Sequence, residues 1–213
     1  MVLTLPRFTA VLASLLLLAS AAAQAATVSF STTLPISAVA NPQASGVTGA
    51  TSVLAENVTG TFVNDRRSPW DATNSSVSVA SGLYSSIRST SAAPASVFFN
   101  FSSVMKDLSF VWGTPGPLNK IEFFLGSTSQ YAFFGNTVIG GNSAQGLSFG
   151  GTLSVLTRIT DLTFDKVVFS AGRPALEFAN LTTIAAVPLP AAGLMLLGAL
   201  AGLGAMRRRR AAI

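Results

Sequence analysis

Carboxylates are the only side chains in this sequence whose pattern suggests catalysis. The 213-residue chain contains neither histidine nor cysteine. This excludes Ser-His-Asp and Cys-His catalysis, and it excludes zinc sites built from nitrogen and sulfur ligands. A carboxylate pair, as in glycoside hydrolysis, is the remaining option. The candidates are Asp107, Glu122, Asp161, Asp165 and Glu177. The alternative is that these are solvated strand and turn residues, and we adopt it and predict that the chain is not an enzyme.

Two of these acids could also hold a metal ion. Asp161 and Asp165 lie four residues apart, and calcium prefers oxygen ligands of this kind. No spacing typical of an EF-hand loop accompanies them. We therefore predict neither a metal site nor a cofactor.

The two tryptophans are candidates for stacking on sugar rings. Trp70 lies in a polar loop after Arg66 and Arg67, where an exposed indole could stack on a pyranose face. Trp112 ends an alternating strand, which favours a core position. Trp70 is therefore the tentative sugar contact, and a buried Trp70 is the alternative.

The elements that must position these residues are mostly strands. Apolar residues recur with a period of two in short runs broken by glycine, asparagine and proline. No convincing amphipathic helix lies between the two ends of the chain. We predict an all-β fold, a single antiparallel β-sandwich with jelly-roll-like character. The candidate strands are 27–31, 51–54, 58–63, 77–79, 96–101, 107–112, 119–125, 130–134, 164–169 and 175–181.

The charge of the middle region differs from that of the whole chain. The formal net charge is +5, but Arg7 and Arg207–Arg210 supply all of it. Residues 26–186 contain eight basic and eight acidic side chains. A neutral domain lacks the electrostatic footprint of a DNA- or RNA-binding protein. We therefore expect no nucleic-acid partner.

The N-terminal segment is typical of a secretory signal peptide. Arg7 gives a positive start, and the leucines at 15–18 form an apolar centre. Ala23 and Ala25 supply the small-x-small pattern that signal peptidase requires. We predict a signal peptide over residues 1–25 and a mature domain from 26 to 186.

The C-terminal segment, residues 187–213, combines a short motif, an apolar run and a basic stop. The motif consists of Val187, Pro188, Leu189 and Pro190. An uncharged run over 191–206 follows it, and the tail 207–213 begins with Arg207, Arg208, Arg209 and Arg210. As a helix, the run covers about 24 Å, which is slightly short for a membrane span. Snorkelling arginines compensate for the deficit. Because positive charge favours the cytoplasmic side, the middle domain is expected outside.

This arrangement resembles the PEP-CTERM sorting signals that exosortases read in Gram-negative bacteria. Members usually carry Pro-Glu-Pro, and this chain has Pro188-Leu189-Pro190. Residues 108–113 with 119–123, and 164–170 with 176–180, also resemble patterns of these surface proteins; the second pair is similar to their closing hairpin. The resemblance implies transient anchoring in the inner membrane, cleavage near Pro190, and transfer to the cell surface or the extracellular matrix.

The sequence as a whole therefore predicts an exported surface or matrix protein with a structural or adhesive role. Signal peptidase and an exosortase are the expected processing partners, and exopolysaccharide is the candidate ligand. The alternative from another class is a carboxylate-based enzyme that acts on exopolysaccharide.

Overall fold

The computed structural model describes residues 26–49, 52–62, 66–71, 82–89, 94–137, 153–172, 175–186 and 198–202. The predicted signal peptide, with Ala23 and Ala25, lies outside these residues. The motif Val187–Pro190, the arginines at 207–210 and the candidate strand 77–79 also lie outside them. Residues 198–202 are helical. No helix in the described part of the chain is both long and apolar enough to cross a membrane.

Ten antiparallel strands form the described fold, which confirms the predicted all-β class. They are β1 Thr27–Ser31, β2 Gly46–Thr48, β3 Ser52–Val58, β4 Tyr84–Ser89, β5 Ala95–Gly113, β6 Asn119–Leu125, β7 Thr128–Phe134, β8 Val155–Thr160, β9 Phe164–Ala171 and β10 Leu176–Ala185. In the described part of the connections there are two 3₁₀ turns, Pro69–Asp71 and Gly135–Thr137.

The long strand β5 joins two sheets. Its first half, through Asn100, pairs with β2 and β9, and its second half, from Met105, pairs with β8 and β10. Its register with β9 shifts between Asn100 and Met105. The first sheet therefore runs β3-β4-β10-β5-β8-β1, and the second runs β2-β5-β9-β6-β7. Two candidate strands, 96–101 and 107–112, are parts of this single 19-residue strand.

The inner faces of the two sheets enclose the main core. Phe169 of β9 lies 5.1 Å from Phe110 and 4.7 Å from Phe178, measured between ring centroids. Phe110 and Phe178 belong to strands of the first sheet, so these contacts cross the space between the sheets. Because rings this close bury large apolar areas, the aromatic contacts hold the two layers face to face. The fold is therefore sandwich-like.

A second, smaller core covers part of the outer face of the first sheet. It contains Leu34, Trp70, Tyr84, Val111 and Ala179. The segment around Asn41 closes over this face through buried hydrogen bonds. The Asn41 side chain donates to Ser85 Oγ (2.9 Å) and the Phe178 carbonyl (3.0 Å), and it accepts from the Leu181 amide (2.9 Å). One buried asparagine thus links a long connection to two neighbouring strands.

The predicted closing hairpin is wrong. β9 pairs with β5 and β6, whereas β10 pairs with β4 and β5. The chain crosses from one sheet to the other after Ala171, and the Gly172 amide donates to the Leu118 carbonyl at that point. Alternation identifies a strand and its buried face, but it does not identify the partner strand.

Candidate functional site

Trp70 does not form the exposed platform expected from the sequence. Only 2% of the residue is exposed, and its indole N–H donates to the Leu83 carbonyl (3.2 Å). Gly82 packs against the ring so closely that any side chain at that position would collide with it. The polar loop folds back over the outer face of the first sheet, so the indole is buried there and presents no face to a sugar. Trp112 is fully buried in the main core, as its alternating pattern predicts.

Glu122 and Asp165 have structural partners on the second sheet. Asp165 accepts the Gly126 amide with its carboxylate (2.9 Å) and so caps the turn between β6 and β7. Partial burial acts to raise the pKa of Glu122, but hydrogen bonds from Lys120 Nζ (2.7 Å) and Ser129 Oγ (2.9 Å) outweigh it and keep the pKa below its ordinary value. Both acids therefore stabilise local strand and turn geometry.

Asp161 and Asp165 are directed to different partners and do not converge on one point. Asp161, at φ 62°, lies 3.9 Å from Lys106 Nζ through a carboxylate oxygen. Asp165 is directed to Gly126. Among the described residues, no group of three or more acidic side chains could hold a metal ion. The two aspartates are therefore engaged separately.

Among the described acidic residues, Glu177 is the one that is buried, so the prediction of a solvated residue is wrong for this position. It lies on β10 opposite Ser86 of β4 and Gly113 of β5, and only 3% of it is exposed. One oxygen accepts the Arg67 amide (3.0 Å), and the other has no hydrogen-bond partner. Burial raises the pKa of Glu177 to about 7. Glu177 is too deeply buried to contact a substrate. It therefore affects the stability of the fold and is not part of a solvent-accessible site.

A polar groove lies on the outer face of the first sheet, away from the second core. Its volume is about 250 Å³. β5, β8 and β10 supply alternate residues, because Leu108, Ile159 and Leu181 turn inward to the main core. The outward side chains that line the groove are Asp107, Ser109, Arg158, Thr160, Thr182 and Ile184.

Strand register arranges these side chains in a row across the sheet. Ser109 is the register partner of both Arg158 on β8 and Thr182 on β10. The Ser109 and Thr182 hydroxyls are 2.8 Å apart and hydrogen-bonded. Arg158 is exposed, and its side chain forms no hydrogen bond or ion pair with the described residues. The groove thus offers hydroxyls and a cation to solvent.

Asp107 contributes the negative charge of the groove. It lies opposite Ile184 on β10, one alternate position along β5 from Ser109. Its Oδ1 accepts the Asp161 amide (3.2 Å), which fixes the carboxylate at one end of the groove. Ile184 is 61% exposed and supplies an apolar wall. The groove therefore combines a cation, hydroxyl groups, a carboxylate and an apolar surface.

A second recess, between β2 and β3, is a weaker candidate. Its volume is about 520 Å³, and Ala44, Gly46, Val47, Leu54 and Glu56 line it. Among the described lining residues, Glu56 supplies the only charge, and its Oε1 already accepts the Ala44 amide (2.7 Å). The remaining lining is small or apolar, so the recess offers few polar groups to a ligand.

Sequence reasoning identified Asp107 and missed the rest of the groove. Arg158 was missed because β8 was not recognised as a strand, and Ser109 and Thr182 are polar residues of ordinary type. The available signal was the alternation along each strand, which places these polar side chains on the face that points away from the core. This alternation places the side chains in one groove, but that can be inferred only when β5, β8 and β10 are known to be neighbours.

The described residues form an all-β, sandwich-like domain with a solvent-exposed polar groove. No family model matches the chain, no curated protein matches it, and no solved structure matches it. Function is therefore inferred from the groove and from the terminal sequences.

Proposed function

We propose that this chain is an exported surface or matrix protein, sorted by an exosortase, with a structural or adhesive role associated with exopolysaccharide. The proposal includes a signal peptide over residues 1–25 and a transmembrane sorting helix over 191–206. It also includes the jelly-roll-like form of the sandwich. Localisation is first the inner membrane and then the cell surface or matrix.

The positions of the first and last described strands support the two processing steps. β1 begins at Thr27, directly after the predicted signal-peptidase site at Ala25. β10 ends at Ala185, and the Ala186 amide still donates to the Val104 carbonyl (2.9 Å). All ten strands and both hydrophobic cores lie between these points. Cleavage after Ala25 and near Pro190 therefore leaves the described domain complete.

The C-terminal sequence supports the membrane step. Residues 198–202 are helical, and they lie inside the uncharged run that precedes the arginines. A helix over 191–206 with four arginines at its end would hold the domain at the outer side of the membrane, because cationic ends favour the cytoplasm. Because proline disfavours a helical conformation in the residue before it, the motif Pro188-Leu189-Pro190 would suit presentation to a protease cleft.

The groove of β5, β8 and β10 is the observation that carries the polysaccharide role. Sugars present hydroxyls that must be matched by donors and acceptors, and they also present C–H faces. Ser109, Thr182, Arg158 and Asp107 supply the polar groups, and Ile184 supplies the apolar one. The groove is open at the surface, which suits a polymer that enters and leaves along the sheet.

A carboxylate-based enzyme is the second candidate, and one contact favours it. The Asp161 backbone amide donates to Asp107 Oδ1, so a second acidic residue lies next to the carboxylate at one end of the groove. Two carboxyl groups flanking a glycosidic bond are the minimum for hydrolysis. Their engagement with Lys106 and with the backbone makes them poorer acid and base candidates.

The test is incubation of residues 26–186 with the purified matrix polysaccharide of the producing cells. The proposal expects retention on the polysaccharide with no change in its chain length. Shortened chains that disappear with Asp107→Asn would identify the enzyme instead. Absence of both binding and cleavage would contradict the polysaccharide role.

A further inference from the structure

We propose that the groove binds an acidic sugar unit of the polysaccharide, with Arg158 pairing the sugar carboxylate. This inference rests on the polysaccharide role proposed above and names the chemical class of the ligand. Ser109, Thr182 and Asp107 bind the sugar hydroxyls, and Ile184 contacts its C–H face.

Arg158 is distinguished from the other cations of the described chain by its lack of a partner. Lys106 pairs with Asp161, and Lys120 pairs with Glu122. Arg67 donates to the Asp71 carbonyl (2.7 Å), Arg66 stacks on Phe62, and Arg88 has a partner. Lys166 lies over two phenyl rings. Within the described residues, Arg158 alone presents its charge to solvent without an internal contact.

The guanidinium group of Arg158 indicates which group of the ligand it binds. Its planar fork matches a carboxylate with two parallel hydrogen bonds, and such charge-assisted bonds are about twice as strong as neutral ones. Arg158, Ser109 and Thr182 lie on three adjacent strands, so the row extends about 10 Å at two inter-strand spacings. A carboxylate at Arg158 therefore places neighbouring hydroxyls over the serine and threonine.

Asp107 determines how the acidic sugar is oriented in the groove. Its negative charge repels a sugar carboxylate, and its oxygens accept sugar hydroxyls. Because Asp107 and Arg158 occupy different rows of the groove, the carboxylate is favoured at Arg158 only. The arrangement thus discriminates between the charged and uncharged parts of a polysaccharide repeat.

The half-exposed rings on the outer face of the second sheet are a poorer sugar site. Phe98 and Phe124 would be the stacking platforms there. Lys166 Nζ lies 5.1 Å and 5.3 Å from their ring centroids, so its charge is already directed at both rings. A sugar would have to displace this contact before it could stack.

The experiment compares matrix polysaccharide before and after chemical reduction of its carboxylates to alcohols. Binding of residues 26–186 is measured by titration calorimetry at low salt. We expect reduction to weaken binding at least tenfold, and Arg158→Gln to do the same to the intact polymer. Arg158→Lys should recover part of the loss, because it restores charge without the fork. Lys166→Gln, which removes one charge from the other sheet, should change affinity less than twofold.

Each of the other outcomes would refute a specific part of the proposal. Equal binding of intact and reduced polymer, or normal binding by Arg158→Gln, would refute the acidic-sugar inference and leave the polysaccharide role standing. Failure to bind either polymer would refute both. Because Arg158 is exposed, an unchanged melting temperature of Arg158→Gln verifies that a loss of binding is local.

Discussion

Replacement of Glu177 by glutamine should make the domain more stable at neutral and alkaline pH. The carboxyl is buried between the loop at Arg67 and the outer face of β10, and one of its oxygens has no partner. Glutamine keeps the shape of the side chain and the acceptor for the Arg67 amide. It removes a charge that the Arg67 amide and the Arg67 side chain offset only in part.

The magnitude follows from the difference in pKa between the folded and unfolded states. Burial raises the pKa of Glu177 from 4.5 to about 7, so the folded state binds the proton more tightly than the unfolded state does. Stability therefore falls as pH rises from the unfolded pKa through the folded pKa, and the loss is complete above it. A raised pKa of this size corresponds to about 3 kcal/mol.

The assay is urea unfolding of residues 26–186 at intervals between pH 4.5 and 8.5. The wild-type domain should lose stability over that range, and Glu177→Gln should lose about 3 kcal/mol less. Glu122→Gln is the matched control, because the pKa of Glu122 is lowered, so its replacement should not reduce the loss of stability as pH rises. Identical pH profiles for wild type and Glu177→Gln would refute the reasoning.

Three further substitutions test the packing of the domain outside the groove, and each is measured by urea unfolding. Trp70→Ala should destabilise the domain by about 3–5 kcal/mol, as expected for a buried aromatic, and a change below about 1 kcal/mol would contradict its core position. Gly135→Ala should cost several kcal/mol, on the order of 2–4, because its Cβ would collide with the Gly116 backbone; a neutral result would refute the close approach. Asn41→Ala should cost about 2–3 kcal/mol, because the Leu181 amide loses its acceptor; unchanged unfolding would show that this link carries no stability.

The sequence identifies most strands but little of their pairing. β1, β6 and β9 coincide with candidate runs, because alternation of apolar residues marks a half-buried strand. β5 was divided in two, because its middle section around Val104 is exposed and breaks the pattern. β4 was missed because its sequence, Tyr84–Ser89, is mostly polar although five of its six residues are buried.

The site was less predictable than the strands because it depends on neighbours distant in sequence. Arg158 and Ser109 are 49 positions apart, and only the β5–β8 register brings them together. Trp70 illustrates the opposite error. Its polar, turn-rich surroundings are typical of an exposed loop, but the loop covers a sheet face whose apolar residues, such as Val111, need burial.

The measurement that tests the central proposal most directly is the intact mass of the protein recovered from the surface or matrix of the producing cells. We predict a chain that begins at Ala26 and ends near Pro190, and replacement of Pro188 and Pro190 by alanine should leave the anchored form unreleased. Processing at both sites would be explained by the position of the folded domain between them. A surface-associated chain that still contains Met206 and the four arginines would contradict exosortase sorting.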